Sequence, residues 1–216
     1  MSRKSTLTPL AMVLSDSVRP QASPLEAFKL ARKYWLEGRR ISLGDLAKEL
    51  DVSRGTLYRW VGNKDLLLDE IIWSVTKPTY ERAIKGSSGN GIDYIVDVQR
   101  RFCTAILSSK PLQQFVDHDP SYALRILTRD ARSAHERIIK MIADHIQGEI
   151  DGGHIQLPIA ARDMATIIVR TNESLIYSDI ISGRSPAIEQ ACAVTRILLS
   201  AKSFPPSLVQ GSTKQK

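Results

Sequence analysis

Three cap-forming residues set close together, Ser42, Ser53 and Asn63, constrain this 216-residue chain more than any other feature. Serine or asparagine at a helix N-cap offers its side-chain oxygen to the first-turn backbone N–H groups, so each marks a helix start. Ser42 has Asp45 three residues on and precedes Leu43, Leu46, Ala47 and Leu50, the apolar face of a short helix. Ser53 opens RGTLYRWV, in which Leu57 and Val61, four apart, face inward while Arg54, Gly55, Thr56, Tyr58 and Arg59 point elsewhere. Asn63 opens KDLLLDEIIWSV. Upstream, Pro24 starts a run whose Leu25, Phe28, Ala31 and Trp35 recur at helical intervals, with Gly38 placed to end it. The expected order is helix, helix, tight turn, helix, with Ala47 at the close approach and Val52 plugging the corner.

The helix begun by Ser53 spends its first turn on Arg54, Gly55 and Thr56, which bury little apolar surface, so it reads as an exposed edge. Lys64 falls at a helix start, where a cation opposes the helix dipole unless an outside anion such as a DNA phosphate compensates it. Charge distribution agrees. Residues 1–64 hold 12 Lys/Arg against 6 acids, whereas the remaining 152 residues hold 18 against 17. Almost all of the +7 net charge therefore lies at one end, which points to a polyanionic partner there.

The segment ISLGDLAKELDVSRGTLYRWVGNKDLLLDEI, Ile41 to Ile71, resembles the DNA-binding domain of the TetR family of transcriptional regulators. Ile41, Leu46, Ala47, Val52, Ser53, Thr56, Leu57, Tyr58, Lys64 and Leu67 fall where that family's pattern places them, and the likeness covers Pro24 to about Val75. It departs at Trp60-Val61, where an aromatic pair is common. The resemblance implies a helix-turn-helix whose second helix enters the major groove, with Arg54, Gly55 and Thr56 facing base edges or nearby backbone and Tyr58 and Lys64 bonding phosphates. Residue chemistry is compatible: Arg54 has the fork that suits guanine, and Ser42, Ser53, Thr56 and Arg59 offer donors to phosphate. Arg3 and Lys4 on the N-terminal arm are further candidates for a minor groove.

The rest of the chain reads as a second all-helical domain, with helices expected near Ile92–Ser108, Leu112–Asp117, Ser121–Glu149, Ile159–Ser182 and Pro186–Ser200. Pro78 is expected to interrupt the fourth helix near its end, and GSSGNG to act as a connector. The division is a mobile arm 1–22, a helix-turn-helix domain 23–75, an effector-binding and dimerisation domain 76–204, and a disordered tail 205–216. Small residues spaced along the last two helices, Ala161 and Ala165 with Ile168, Leu175 and Tyr177, then Ala187 and Ala191 with Val194 and Leu198, are expected to form a homodimer bundle. Polar Arg170, Asn172, Glu173 and Tyr177 within apolar sequence are candidates for an effector site, with Trp73, Phe102, Phe115 and Tyr122 as its walls. RTNESLIYSDIISGR also resembles the QsdR-type subgroup of the TetR family, which implies a lactone or acyl-lactone effector and a link to quorum sensing.

Other classes fit less well. No HExxH, GxSxG, GxGxxG or Walker pattern is present, so neither an enzyme nor a cofactor is expected, and Asp117-His118-Asp119 before Pro120 reads as a helix cap and not a metal site. Cys103 and Cys192 lie apart in apolar surroundings and read as buried reduced thiols of a cytoplasmic protein, while no apolar run is long enough to cross a bilayer. The alternatives are a helical module that binds polyanions without sequence preference and, less in keeping with the motifs, a lactone-processing enzyme.

Overall fold

A computed structural model describes residues 22–129, 134–181 and 184–201, and these form ten helices and no strands. The fold class is all-α, as the sequence pattern implies. In chain order the helices are α1 Pro24–Leu36, α2 Leu43–Glu49, α3 Arg54–Val61, α4 Lys64–Gly86, α5 Gly91–Leu107, α6 Lys110–His118, α7 Pro120–Leu127, α8 Ala134–Asp151, α9 Ala161–Ile181 and α10 Ile188–Leu199. The expected N-terminal arm and C-terminal tail lie outside the described residues.

The caps act as read. Ser42 accepts from the Asp45 N–H, Ser53 from Thr56 and Asn63 from Leu66, so each short helix begins on a satisfied first turn. Between α2 and α3 the chain turns through Asp51, whose φ of 54° lies in the left-handed region. Gly62 ends α3 at φ 73°, and a Cβ there would meet the Leu66 side chain at 2.7 Å.

Two apolar cores organise the helices. The first joins Ala27, Ala31 and Trp35 of α1, Leu46 and Ala47 of α2, Leu57 of α3 and Leu67, Leu68 and Ile71 of α4, and reaches Ile126 and Ala134. The second joins Ile95 of α5 to Ile139 and Ile146 of α8, Met164, Ala165 and Ile168 of α9 and Leu199 of α10. A bridge of Tyr80, Ala83 and Val98 fastens α4 to α5 between them.

Four expectations are corrected. Leu25 is 58% exposed, because the inner face of α1 runs through Ala27, Ala31, Tyr34 and Trp35. Pro78 does not interrupt α4, which continues to Gly86. Pro78 is on the exposed side, where water can serve the carbonyl it leaves unpaired, while Thr76, Thr79, Tyr80 and Ala83 anchor the other side. The expected helix Ser121–Glu149 is two: α7 ends at Leu127 and α8 begins at Ala134. Ala161, Ala165, Ile168 and Ala191, expected at a subunit interface, are buried within this chain, because α8 packs along α9 while α10 packs on α5 and α9. Among the described residues, the large apolar side chains left outward on these last helices are Ile167 and, 69% exposed, Ile197.

Replacing Asp51 by valine puts a β-branched residue at a left-handed position, and should cost about 1–2 kcal/mol in urea unfolding without changing helix content by circular dichroism.

Candidate DNA-reading face and effector cavity

The outer face of α3 is built from its cap outward. Ser53 Oγ lies 2.9 Å from Thr56 Oγ1, and Arg59 Nη2 donates to the same Thr56 oxygen at 3.2 Å. Three polar groups thus run in one line up the exposed side of the helix, one turn apart. Arg54 and Gly55 are exposed at its N-terminal end, and Tyr58 is 50% exposed beside the line. On the opposite face Leu57 has no exposure, and half-buried Trp60 and Val61 pack on the first core. The Arg54 guanidinium lies against Gly44 of α2, where any Cβ would come within 3.4 Å of it. Ser42 is half-buried and engaged as a cap.

Lys64 is more enclosed than a surface phosphate contact requires. Its ammonium lies 4.7 Å above the Tyr122 ring, and burial, followed by the nearby Arg40 charge, holds its pKa below the ordinary lysine value. Arg39 and Arg40 stand beside it at the rim of a separate pocket, exposed, and add to the basic face. Neither was singled out by the sequence reading, although the adjacent pair just before the Ser42 cap was a legible signal.

The second site is a cavity of about 170 Å³ between the two cores, walled by α4, α5, α7, α8, α9 and α10. Its lining is mostly isoleucine, leucine and aromatic side chains, with a few polar groups turned inward. Of the expected effector residues, Phe102, Asn172, Glu173 and Tyr177 line it. Glu173 is bonded to buried His135 at 3.1 Å, and burial raises the Tyr177 phenol far above its ordinary pKa, so it remains a neutral donor.

The other four expected contacts lie elsewhere. Trp73 is packed on the first core beneath the Arg137 guanidinium, 5.1 Å away. Phe115 packs on the Trp35 ring at 4.9 Å and edge-on to Tyr122, and both Phe115 and Tyr122 border the pocket beside Arg39 and Arg40 instead. Arg170 is exposed, because the face of α9 that carries Val169, Asn172 and Ile176 turns inward and leaves Arg170 outside. Most of the lining was not singled out in the sequence, including two buried polar residues, Gln99 on α5 and Thr195 on α10, 9% and 1% exposed.

Between the two sites α7 grips the start of α4. Asp65 accepts from the Tyr122 hydroxyl at 2.8 Å and from Arg125 at 2.9 Å, and Arg129 bonds both Asp65 and Asp69. Burial tends to raise the Asp65 pKa, but the Arg125 and Tyr122 hydrogen bonds and the Arg125 and Arg129 charges overcome it and hold the carboxyl below its usual 3.8. For the more deeply buried Asp69 desolvation prevails over Arg129, and its pKa is raised. Asp119 caps α7 by accepting from the Tyr122 N–H, so the Asp-His-Asp triplet is used as a helix start. No helix among the described residues is long and apolar enough to cross a membrane.

A short helix presented over a turn by a small core, joined by one continuous helix to a cavity-bearing bundle, defines a helix-turn-helix regulator with a helical C-terminal domain. Residues 90–200 match the tetracyclin repressor-like C-terminal domain family. The chain belongs to the TetR family of DNA-binding transcriptional regulators. It is similar to the solved structure of the R. erythropolis transcriptional repressor QsdR from the TetR family, at 26% identity and a TM-score of 0.77, over 84% of this chain and 96% of that one. No curated protein matches.

Replacing Ser53 by alanine removes the α3 cap and the partner of Thr56 together. It should lower stability by about 1 kcal/mol, and amide exchange should quicken first in residues 54–57.

Proposed function

We propose that this protein is a homodimeric repressor that holds a palindromic operator through α3 and leaves it when a small apolar effector fills the cavity. The observation that carries the reading is the continuity of α4: its first turn supports α3, and Ile72, Val75, Thr76 and Tyr80 further along the same helix line the cavity. Arg54 reads a base edge and Gly55 admits the groove wall. Thr56 and Arg59 meet base or backbone, while Ser42, Ser53, Tyr58 and Lys64 hold phosphates. Residues 23–75 serve as the DNA-binding unit and 76–204 as the effector and dimer unit, with α4 shared. The outward Ile167 and Ile197 supply apolar area for the partner copy. Two copies then meet half-sites one helical turn apart.

Likeness to the QsdR repressor supports repression, and the QsdR-type resemblance of the α9 sequence favours a lactone or acyl-lactone signal, hence a cytoplasmic quorum-sensing role. Release follows from the α7 grip. Ile126 and Leu127 face the cavity while Tyr122 and Arg125 on the same helix hold Asp65, so filling the cavity pushes on the start of α4. The recognition helices then lose their spacing. A coupling of roughly 2–3 kcal/mol gives a 30- to 150-fold fall in operator affinity.

The deciding experiment is binding of the purified protein to its own upstream DNA in moderate salt, against scrambled competitor, with and without a panel of lactones. Selective binding abolished by a lactone is expected; equal competition by scrambled DNA would leave only a basic surface. Arg54→Ala should cost about 1–3 kcal/mol of operator binding and relax preference at one base pair.

Asp65→Asn should preserve operator binding but reduce effector-driven release. Its stability effect has a definite sign. The Asp65 pKa is depressed on folding, so its ion pairs contribute fully above the ordinary 3.8 and are lost as pH falls through the lower folded value. Wild type should exceed Asp65→Asn by about 1 kcal/mol near neutral pH, discounted for the exposure of Arg125, and the gap should close below about pH 4.

A further inference from the structure

Three cavity-lining side chains, Gln99, Asn172 through its Oδ1, and Thr195, carry buried polar atoms that no described residue satisfies. Both the Nε2 and the Oε1 of Gln99 are without a hydrogen-bond partner, as is the hydroxyl of Thr195. Neither side chain can reach water readily, at 9% and 1% exposure. Two ion pairs, Arg100 with Glu189 at 2.8 Å and Arg196 with Asp93, hold α5 and α10 antiparallel, so Gln99 and Thr195 belong to one wall of the cavity. A buried amide with neither hydrogen bond made is costly, and it persists where a ligand completes it.

The chemistry of the wall restricts that ligand. A primary amide side chain needs an acceptor for its N–H and a donor for its oxygen, and an amide group supplies both in one plane. A simple lactone has acceptors alone and would leave Gln99 Oε1 unpaired. Ile95 and Phe102 flank Gln99 on α5, with Ile168 and Ile176 contributed by α9, so the body attached to the polar head meets hydrocarbon. Charge is restricted too: among the described residues Glu173 is in the lining and no lysine or arginine is, so a carboxylate held by them would be desolvated without a cation. The volume of about 170 Å³ is that of a cavity holding a benzene-sized molecule, so the apolar body is compact unless the walls move.

We infer that the effector is a neutral molecule with an amide head, its carbonyl accepting from Gln99 and its N–H donating back, Thr195 as a further partner, and a compact apolar body. This rests on the cavity being the effector site. It selects such amides over simple ring lactones and over free fatty acids.

The test is isothermal titration of the full chain at neutral pH with hexanamide, γ-hexanolactone and hexanoate, repeated on Gln99→Leu and Thr195→Val, with operator release followed in parallel. Hexanamide should bind wild type on the order of tenfold more tightly than the lactone, with hexanoate weakest. Gln99→Leu should abolish that preference while raising the thermal midpoint, because the unpaired amide is gone; Thr195→Val should weaken hexanamide selectively and keeps the test alive if Gln99→Leu fails to fold. Equal or tighter binding of hexanoate or the lactone overturns the inference. So does no hexanamide binding at millimolar concentration, or an unchanged preference in the variants. Gln99-dependent amide binding with no DNA release would overturn the repressor reading alone, whereas lactone-driven release indifferent to Gln99 would overturn this inference alone.

Discussion

Burial along one side of α4 is the constraint on which both halves of the molecule depend. Over 23 residues, roughly 35 Å of helix, its buried positions run from Leu67 and Leu68 through Ile71 and Ile72 to Thr76, Tyr80 and Ala83. The first four are core for α1, α2 and α3, and the last two are fastened to α5 through Val98. Because a helix is stiff over this length, a displacement at one end is transmitted and not absorbed. Pro78 does not weaken the rod at a critical place, since it faces water and follows the segment that carries the first core.

The two acids in the first turns of α4 show how the rod is tied to the bundle. Asp65 and Asp69 sit near the positive end of the helix, where carboxylates are favoured; Asp65 is gripped by Arg125 of α7 and by Arg129 shortly after it, and Asp69 by Arg129. Their pKa values move in opposite directions because Asp65 has several partners and partial exposure, whereas Asp69 is almost fully enclosed. Asp65 is the stabilising contact. The Asp69 pair is better understood as a specifier of where α7 sits, since a desolvated pair contributes little net energy but tolerates few alternative geometries. Helix α7 thus has one face set by charge and the other, Ile126 and Leu127, set by what occupies the cavity.

The helix-turn-helix was legible because its determinants are local. Capping serines, the four-residue spacing of Leu57 and Val61 and the small Ala47 act within a turn or two of themselves. The cavity was less legible because it depends on which face of each helix turns inward. Polarity within an apolar run picked out Asn172 and Glu173 correctly as inward residues but included Arg170, only two positions away and on the outside. Gln99 was hidden by its neighbours: beside Arg100 and Arg101 it looks like part of a solvated face. Its register betrays it, since Ile95, Gln99 and Cys103 are spaced four apart along the apolar stripe of α5. The small residues of α9 and α10 misled for a related reason. Alanines permit close helix approach but do not say whether the approaching helix belongs to the same chain, and here α8 takes the place beside α9, and α5 the place beside α10.

A cavity with unpaired polar groups also bears on why such a protein can switch. If Gln99 and Thr195 were satisfied by neighbouring side chains, a ligand would have to break those bonds before making its own, and much of its binding energy would be cancelled. Left unpaired, they raise the free energy of the empty state, so the ligand gains by relieving that cost as well as by filling space. A ligand shifts a conformational equilibrium only by its difference in affinity for the two states. Groups fixed on α5 and α10, while the opposite walls belong to α4 and α7, make that affinity sensitive to the distance between the bundle and the rod. The same geometry that makes the empty cavity costly therefore ties occupancy to the position of α4.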